Sequence, residues 1–358
     1  MAMNFILCAD LHLKESEKNY CFSVLNEILK LCEKKKCEAL LFAGDVFDSR
    51  EAVKALRPDF RSALETLDPA CSVYFLPGNH EELYAQPSEG LESFDFGRAR
   101  LLAKKPWSLH TLGADAELLA MPFQRDYSGY RDWGVPPKKN PVRILLAHGT
   151  MMSMAYAPSV EETDSIIDED MFNYFQVDIA ALGHLHKQAA LGKGSTLAAY
   201  PGSARVWREG EEGKRCVLLG NTGAVPPALE KLTIASAGEY RIIRVYASAD
   251  GKLRAAIPEL ISPGDWIHLE LAGVVEEEPP VLAALEKLKT DLMKKCRRVT
   301  STESLTILSG ISTHPLARRF LRAWEEAAPE YKNEEPGVYE QARLKGLLAL
   351  KDVLEKSK

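Results

Sequence analysis

The chain has 358 residues, a net charge of −6, and 46% hydrophobic and 27% charged residues. The length excludes one small domain and points to two with an appendage, and the composition is ordinary for a soluble globular protein. The acidic balance speaks against a nonspecific nucleic-acid coat, but acidic metal ligands bias such a count and a local basic patch leaves a nucleic-acid enzyme open.

Residues 4–9 read as a buried strand ending at Asp10-Leu11-His12. The start Phe5-Ile6-Leu7 is interrupted by Asp10 and has no basic region before it, so no signal peptide is expected. Residues 17–36 read as a helix, with Cys21, Leu25, Ile28, Leu29 and Cys32 at helical spacing and Lys34-Lys35-Lys36 at its negative end. The apolar run Ala39-Leu40-Leu41-Phe42 is a second strand, ending in Ala43-Gly44-Asp45-Val46-Phe47-Asp48. Residues 51–67 read as a helix kinked or broken at Pro58. A third strand, 72–76, ends at Pro77-Gly78-Asn79-His80.

Prolines and short strands fill 81–141, with Glu117–Met121 among the strands. Residues 142–147 are a clean buried strand ending at His148-Gly149. A weak helical period covers 159–175, and 178–182 leads into Gly183-His184-Leu185-His186. Short strands follow at 195–199, 215–219 and 239–247. Composition shifts at Ser262-Pro263-Gly264-Asp265, so domains are expected at 1–261, 262–312 and 313–358. Past the shift lie a strand at 266–271, a helix at 281–297, a strand at 304–308, and helices at 315–328 and 338–356. No stretch approaches the roughly 18 apolar residues of a spanning helix, so no membrane partner is expected. The seven cysteines form no C-x-x-C pair, which suits reduced thiols in a cytoplasm.

Two carboxylates directly after a buried strand are costly there unless something compensates them. The compensation lies in an ordered set: Asp10-x-His12, Gly44-Asp45-x-x-Asp48, Gly78-Asn79-His80, His148-Gly149 and Gly183-His184-x-His186. Each follows a predicted strand, where a sheet presents its loops along one edge. Alone, Gly78-Asn79-His80 reads as a turn and Asp10-x-His12 equally as a capped strand end or a ligand pair, while Gly183-His184-x-His186 leans toward metal binding. Five of the eight histidines fall in these pieces, which decides against chance. Carboxylate, amide oxygen and imidazole together suit Mn, Fe or Zn. The ligands are too many for one ion and fit two ions sharing a bridging carboxylate, the standard device for in-line displacement at phosphorus.

These pieces, in this order, resemble the calcineurin-type metallophosphoesterase superfamily over roughly residues 5–220. Within it the chain is similar to SbcD-type DNA-repair nuclease subunits, to which Tyr200-Pro201-Gly202-Ser203, the β-α-β segment and the terminal helices are also similar. The resemblance implies a four-layer α/β/β/α sandwich with a small β-α-β cap and C-terminal helices. It implies one metal held by Asp10, His12, Asp45 and His186, and a second held by Asp45, Asn79, His148 and His184. His80 would be the general acid, with Asp48 hydrogen-bonding and orienting it. It further implies two Mn2+ ions, exonuclease and endonuclease activity on DNA, an SbcC-type ATPase partner gripped by the C-terminal helices, and a homodimer. Asp48 follows the bacterial pattern, where archaeal and eukaryotic relatives have His. Glu81 replaces the more usual Asp, as in protein Ser/Thr phosphatases, but the Asp-Arg-Gly of those enzymes is absent because Ser49-Arg50 follows Asp48. The rival expectations are a phosphatase or small-molecule phosphodiesterase, against which residues 262–358 argue, and a metal-free scaffold like the retromer subunit. A scaffold would have lost ligands, and this sequence has lost none of the set.

Overall fold

A computed structural model describes residues 2–82, 90–155, 165–248, 251–275, 277–307, 314–327 and 336–356. It divides into two compact units, Met1–Glu239 and Tyr240–Lys358.

The first unit opens with β1 (Asn4–Cys8), α1 (Lys18–Lys34), β2 (Ala39–Ala43), α2 (Arg50–Leu64), β3 (Ser72–Leu76), the short α3 (Asn79–Glu82) and β4 (Ala99–Leu101). Then come β5 (Ser108–Leu112), β6 (Ala116–Met121), β7 (Val142–His148), α4 (Asp170–Tyr174), β8 (Ile179–Gly183), β9 (Ala189–Lys193), β10 (Thr196–Tyr200), β11 (Cys216–Asn221) and β12 (Leu229–Thr233). They form two six-stranded sheets, ordered β12-β11-β1-β2-β3-β4 and β5-β6-β7-β8-β10-β9. The centres are parallel: β1 with β2, β2 with β3, β6 with β7 and β7 with β8.

Alternation along each strand builds the layers, because successive side chains point to opposite faces. From β1, Ile6 and Cys8 pack outward with Val24, Leu25 and Ile28 of α1 and Val53, Leu56 and Phe60 of α2. Phe5 and Leu7 point inward and meet Leu118, Ala120, Ile144 and Leu146 of the second sheet. On that sheet's other face, Leu119, Met121 and Leu145 pack with Met171 and Phe172 of α4. Three apolar layers between four structural ones are the expected α/β/β/α sandwich. The helix α2 starts at Ser49, whose hydroxyl accepts the Ala52 N–H, and continues through Pro58 as one element. Part of the helical period expected at 159–175 lies outside the described residues, and α4 is what is seen of it.

The second unit is built on β13 (Tyr240–Ala247), β14 (Leu253–Ala255), β15 (Trp266–Val275), α5 (Glu278–Met293), β16 (Arg298–Ile307), α6 (Pro315–Ala327) and α7 (Pro336–Lys356). Its sheet runs β14-β13-β15-β16, and α5 is the crossover between the parallel strands β15 and β16. The division falls at Glu239/Tyr240 and not at 261/262. The physical reason is strand pairing: β13 runs parallel to β15 in unbroken register from Tyr240↔Trp266 to Ala247↔Gly273. The Ser262–Asp265 shift is a turn inside this unit, held by Ser262 N–H on buried Asp265 Oδ2 at 2.9 Å.

Candidate metal centre

Five parallel strands end where the polar residues begin. The loop after β1 carries Asp10 and His12, that after β2 carries Asp45 and Asp48, and β3 leads to Asn79 and His80. From the other sheet, β7 ends on His148, and β8 leads to His184 and His186. The first two loops are laced together by main-chain bonds: Asp10 N to Gly44 O at 3.1 Å, His12 N to Asp45 O at 2.9 Å and Leu13 N to Val46 O at 2.8 Å.

These loops are bent hard. Asp10, His12, Asp45 and His184 all have positive φ, of 51°, 46°, 51° and 102°. Non-glycine residues avoid that region, and where they hold it the surroundings force them to. The glycines beside them are needed for space. A Cβ on Gly44 would fall into the His148 ring, and one on Gly78 onto the Asp45 carboxylate.

The structure brings the expected ligands together. Ligand atoms of Asp10, His12 and His186 lie within 4.8 Å of one another, as do those of Asp45, His148 and His184, and those of His12, Asp45 and His80. Asp45 stands between the groups: its Oδ2 is 3.4 Å from His148 Nε2 and 4.0 Å from His12 Nε2. Its Oδ1 accepts the His80 main-chain N–H at 2.9 Å. Asn79 Oδ1 lies 2.9 Å from His148 Nε2 and 3.1 Å from His184 Nδ1.

The donor set fits divalent cations. His148 Nδ1–H donates to Ala43 O at 2.8 Å, so the ring turns its Nε2 lone pair toward Asn79 and Asp45. His186 Nδ1–H donates to Glu211 Oε1 at 2.6 Å and turns Nε2 toward His12 Nε2, 3.3 Å away. The other ring nitrogen of buried His12, Nδ1, has no hydrogen-bond partner. A neutral His148 sets its Nε2 lone pair against the oxygens of Asn79 and Asp45, a conflict that a cation between them removes. Burial pushes the Asp45 carboxyl up, but the surrounding histidines, His148 foremost, win and hold it well below the ordinary carboxylate range. Burial also acts against a charged His148, yet Asp45 beside it raises the imidazole to about 9, so at neutral pH a proton on Nε2 takes the place that a cation would hold. Burial lowers His12 well below the usual range, keeping it a neutral donor.

His80 is held differently from the expectation. Its Nδ1–H donates to the main-chain carbonyl of Asp48 at 2.7 Å, not to the carboxylate. The Asp48 carboxylate instead accepts Trp207 Nε1–H at 2.6 Å and pairs with Lys14 at 3.2 Å. The peptide C=O, fixed by the bend after Asp45, reaches the ring first.

Three further residues complete the site: Glu81, which the sequence marks only as a departure from the family pattern, and Trp207 and Glu211, which it does not mark. Fully buried Glu81 staples two ligand loops: its oxygens accept Phe47 N–H at 2.8 Å, Gly78 N–H at 2.8 Å and Asp45 N–H at 3.1 Å. Burial, with Asp45 adding to it, pushes this carboxyl up to about 8, against the pull of those N–H groups. Trp207 stacks on His12 with ring centroids 3.9 Å apart, and Glu211 holds His186. A Glu three residues into the Gly78 turn was a visible signal, whereas the loop of Trp207 and Glu211 carries no periodicity.

Fold and site together define a metal-dependent phosphoester hydrolase. The calcineurin-like phosphoesterase family matches residues 3–188, more than half of the chain, and the chain belongs to that family, whose members typically use two metal ions. Among solved structures, the chain is similar to a dimetal phosphatase from Danio rerio at 12% identity, covering 65% of this chain and 98% of that one with a TM-score of 0.42. It is also similar to Vacuolar Protein Sorting 29 from Cryptosporidium parvum at 15% identity, covering 71% and 96% with a TM-score of 0.32. Among the described residues, no helix is long and apolar enough to cross a membrane.

Proposed function

We propose that this hydrolase is a Mn-dependent DNA nuclease that cleaves phosphodiester bonds, both from ends and internally, in cytoplasmic DNA repair. The observation that carries the reading is the undiminished ligand set in a chain that also carries a separate unit, whose described residues form four strands and three helices. A small-substrate esterase has no need of that second body. In this reading α6 and α7 dock an SbcC-type ATPase, and a second copy of the chain completes a homodimer. Exposed apolar side chains support the docking role: Leu316 is 50% exposed, Val338 58% and Val353 62%.

Asp10, His12, Asp45 and His186 would hold one ion, and Asp45, Asn79, His148 and His184 the other. When bound, a metal pair supplies Lewis acidity, an activated water and charge neutralisation at the phosphoryl oxygens. The chain's own residues do the rest. In its doubly protonated form, His80 keeps Nδ1–H on the Asp48 carbonyl and hands the Nε2 proton to the leaving oxygen, ending as the neutral Nδ1–H tautomer. Glu81 holds the Asp45 and Gly78 loops at fixed spacing, so the carboxylate and His80 meet the substrate in one orientation.

The test is a labelled linear DNA duplex incubated with the purified chain and Mn, with and without a chelator, beside a nucleotide monoester. Chelator-sensitive degradation of the duplex, faster than turnover of the monoester, is expected. An intact duplex with a hydrolysed monoester would overturn the nuclease reading and favour a phosphatase.

A further inference from the structure

The two metal positions are held by different parts of the chain. His148 and His184 are set from within the sandwich. One rests on the Ala43 carbonyl of β2, and both face Asn79 at the end of β3. On the other side, the rings of His12 and His186 are held from a single loop between β10 and β11, while the Asp10 carboxylate accepts the His184 main-chain N–H at 3.1 Å. Glu211 Oε1 accepts His186 Nδ1–H, while its Oε2 accepts Trp207 N–H at 2.9 Å and the Ser203 hydroxyl at 3.1 Å. Arg215 closes the same loop, donating to Ser203 Oγ at 3.0 Å and to the carbonyls of Glu211, Glu212 and Gly213. Trp207 lies flat on His12, with 4° between the ring planes. Arg205 donates to the carbonyls of Leu11 and His12 at 2.6–3.1 Å.

We propose that Glu211 is a positioning residue for one metal position alone, and that its loop makes that position separable from its neighbour. The inference rests on the paired-metal reading of the site. By accepting from Nδ1–H, the Glu211 carboxylate fixes the His186 tautomer so that Nε2 presents its lone pair beside Asp10 and His12. Both Glu211 oxygens are engaged as acceptors, so an amide cannot replace the carboxylate. With its oxygen toward Trp207 N–H, a glutamine turns NH2 on His186 Nδ1 and selects the wrong tautomer. With its oxygen toward His186, it sets NH2 against the Trp207 N–H. His148 and His184 take none of their described hydrogen bonds from this loop and keep their own supports.

The experiment titrates the full chain, stripped by chelator, with manganese chloride alone in a calorimeter, for wild type, Glu211→Ala and Glu211→Gln. Wild type is expected to take up two ions. Each variant is expected to bind one ion with wild-type affinity and the other about 10–100-fold more weakly. The retained position serves as the control for folding, since a misfolded chain loses both. A Glu211→Gln chain indistinguishable from wild type would show a space-filling role and overturn the proposal, as would equal weakening of both positions. Fewer than two ions in wild type would overturn the paired-metal reading itself, a result distinct from either.

Discussion

His80 and Asp48 are adjacent to the chemistry but unequal in it. The mobile proton sits on His80, and the group that orients His80 is the backbone of Asp48, which no side-chain substitution removes. We therefore expect His80→Ala to lower the turnover of a phosphodiester by about 10²–10⁴-fold, the range for loss of a general acid, with metal uptake unchanged. Asp48→Asn keeps an oxygen for Trp207 Nε1–H and keeps the carbonyl, so its loss should stay under about tenfold, well below the general-acid range. Steady-state turnover and metal content of the same preparations check both. The ligand set was legible because each member follows an apolar run that announces a strand. Glu211 and Trp207 were not, because their positions depend on a loop that folds back over His186 from 25 residues away and over His12 from the far end of the domain.

At the scale of elements, periodicity located the strands of the sandwich and missed the reach of the second unit. Residues 239–247, alternating as Tyr240, Ile242, Arg244 and Tyr246, read as one more short strand of the first domain, but the strand buries Ile243, Val245 and Ala247 and pairs with β15, and partner choice is a tertiary fact. Likewise β16 reads from sequence only over its apolar end. Its first residues, Arg298 to Glu303, are polar except for Val299, because they lie on an edge strand, where burial selects few apolar side chains. His268, which joined no motif, is a satisfied core histidine bonded to the hydroxyls of Thr300 and Thr302. The crossover helix α5 is pinned by Val281, Leu285 and Leu292 against β15. Leu285 is fully buried, so Leu285→Ala should cost about 2–5 kcal/mol through lost burial and a cavity. Thermal unfolding followed by circular dichroism should show it as a lowered transition, with manganese uptake at the other unit retained.

Across the whole molecule, the ligands come from two sheets, so bound cations link the halves of the sandwich as well as serving chemistry. Ligand held only by the folded state stabilises by about 2.7 kcal/mol at a free concentration a hundredfold above its dissociation constant. Scanning calorimetry should therefore show the first unit melting higher with manganese than with chelator. Equal midpoints would mean that the cluster binds no cation tightly. The left-handed residues Asp10, His12, Asp45 and His184 also have an evolutionary consequence. Each holds a conformation that costs of order 1–3 kcal/mol, which glycine would relieve. A lineage released from catalysis would gain stability by exchanging these four side chains for glycine, so disuse would erode the centre faster than the frame around it.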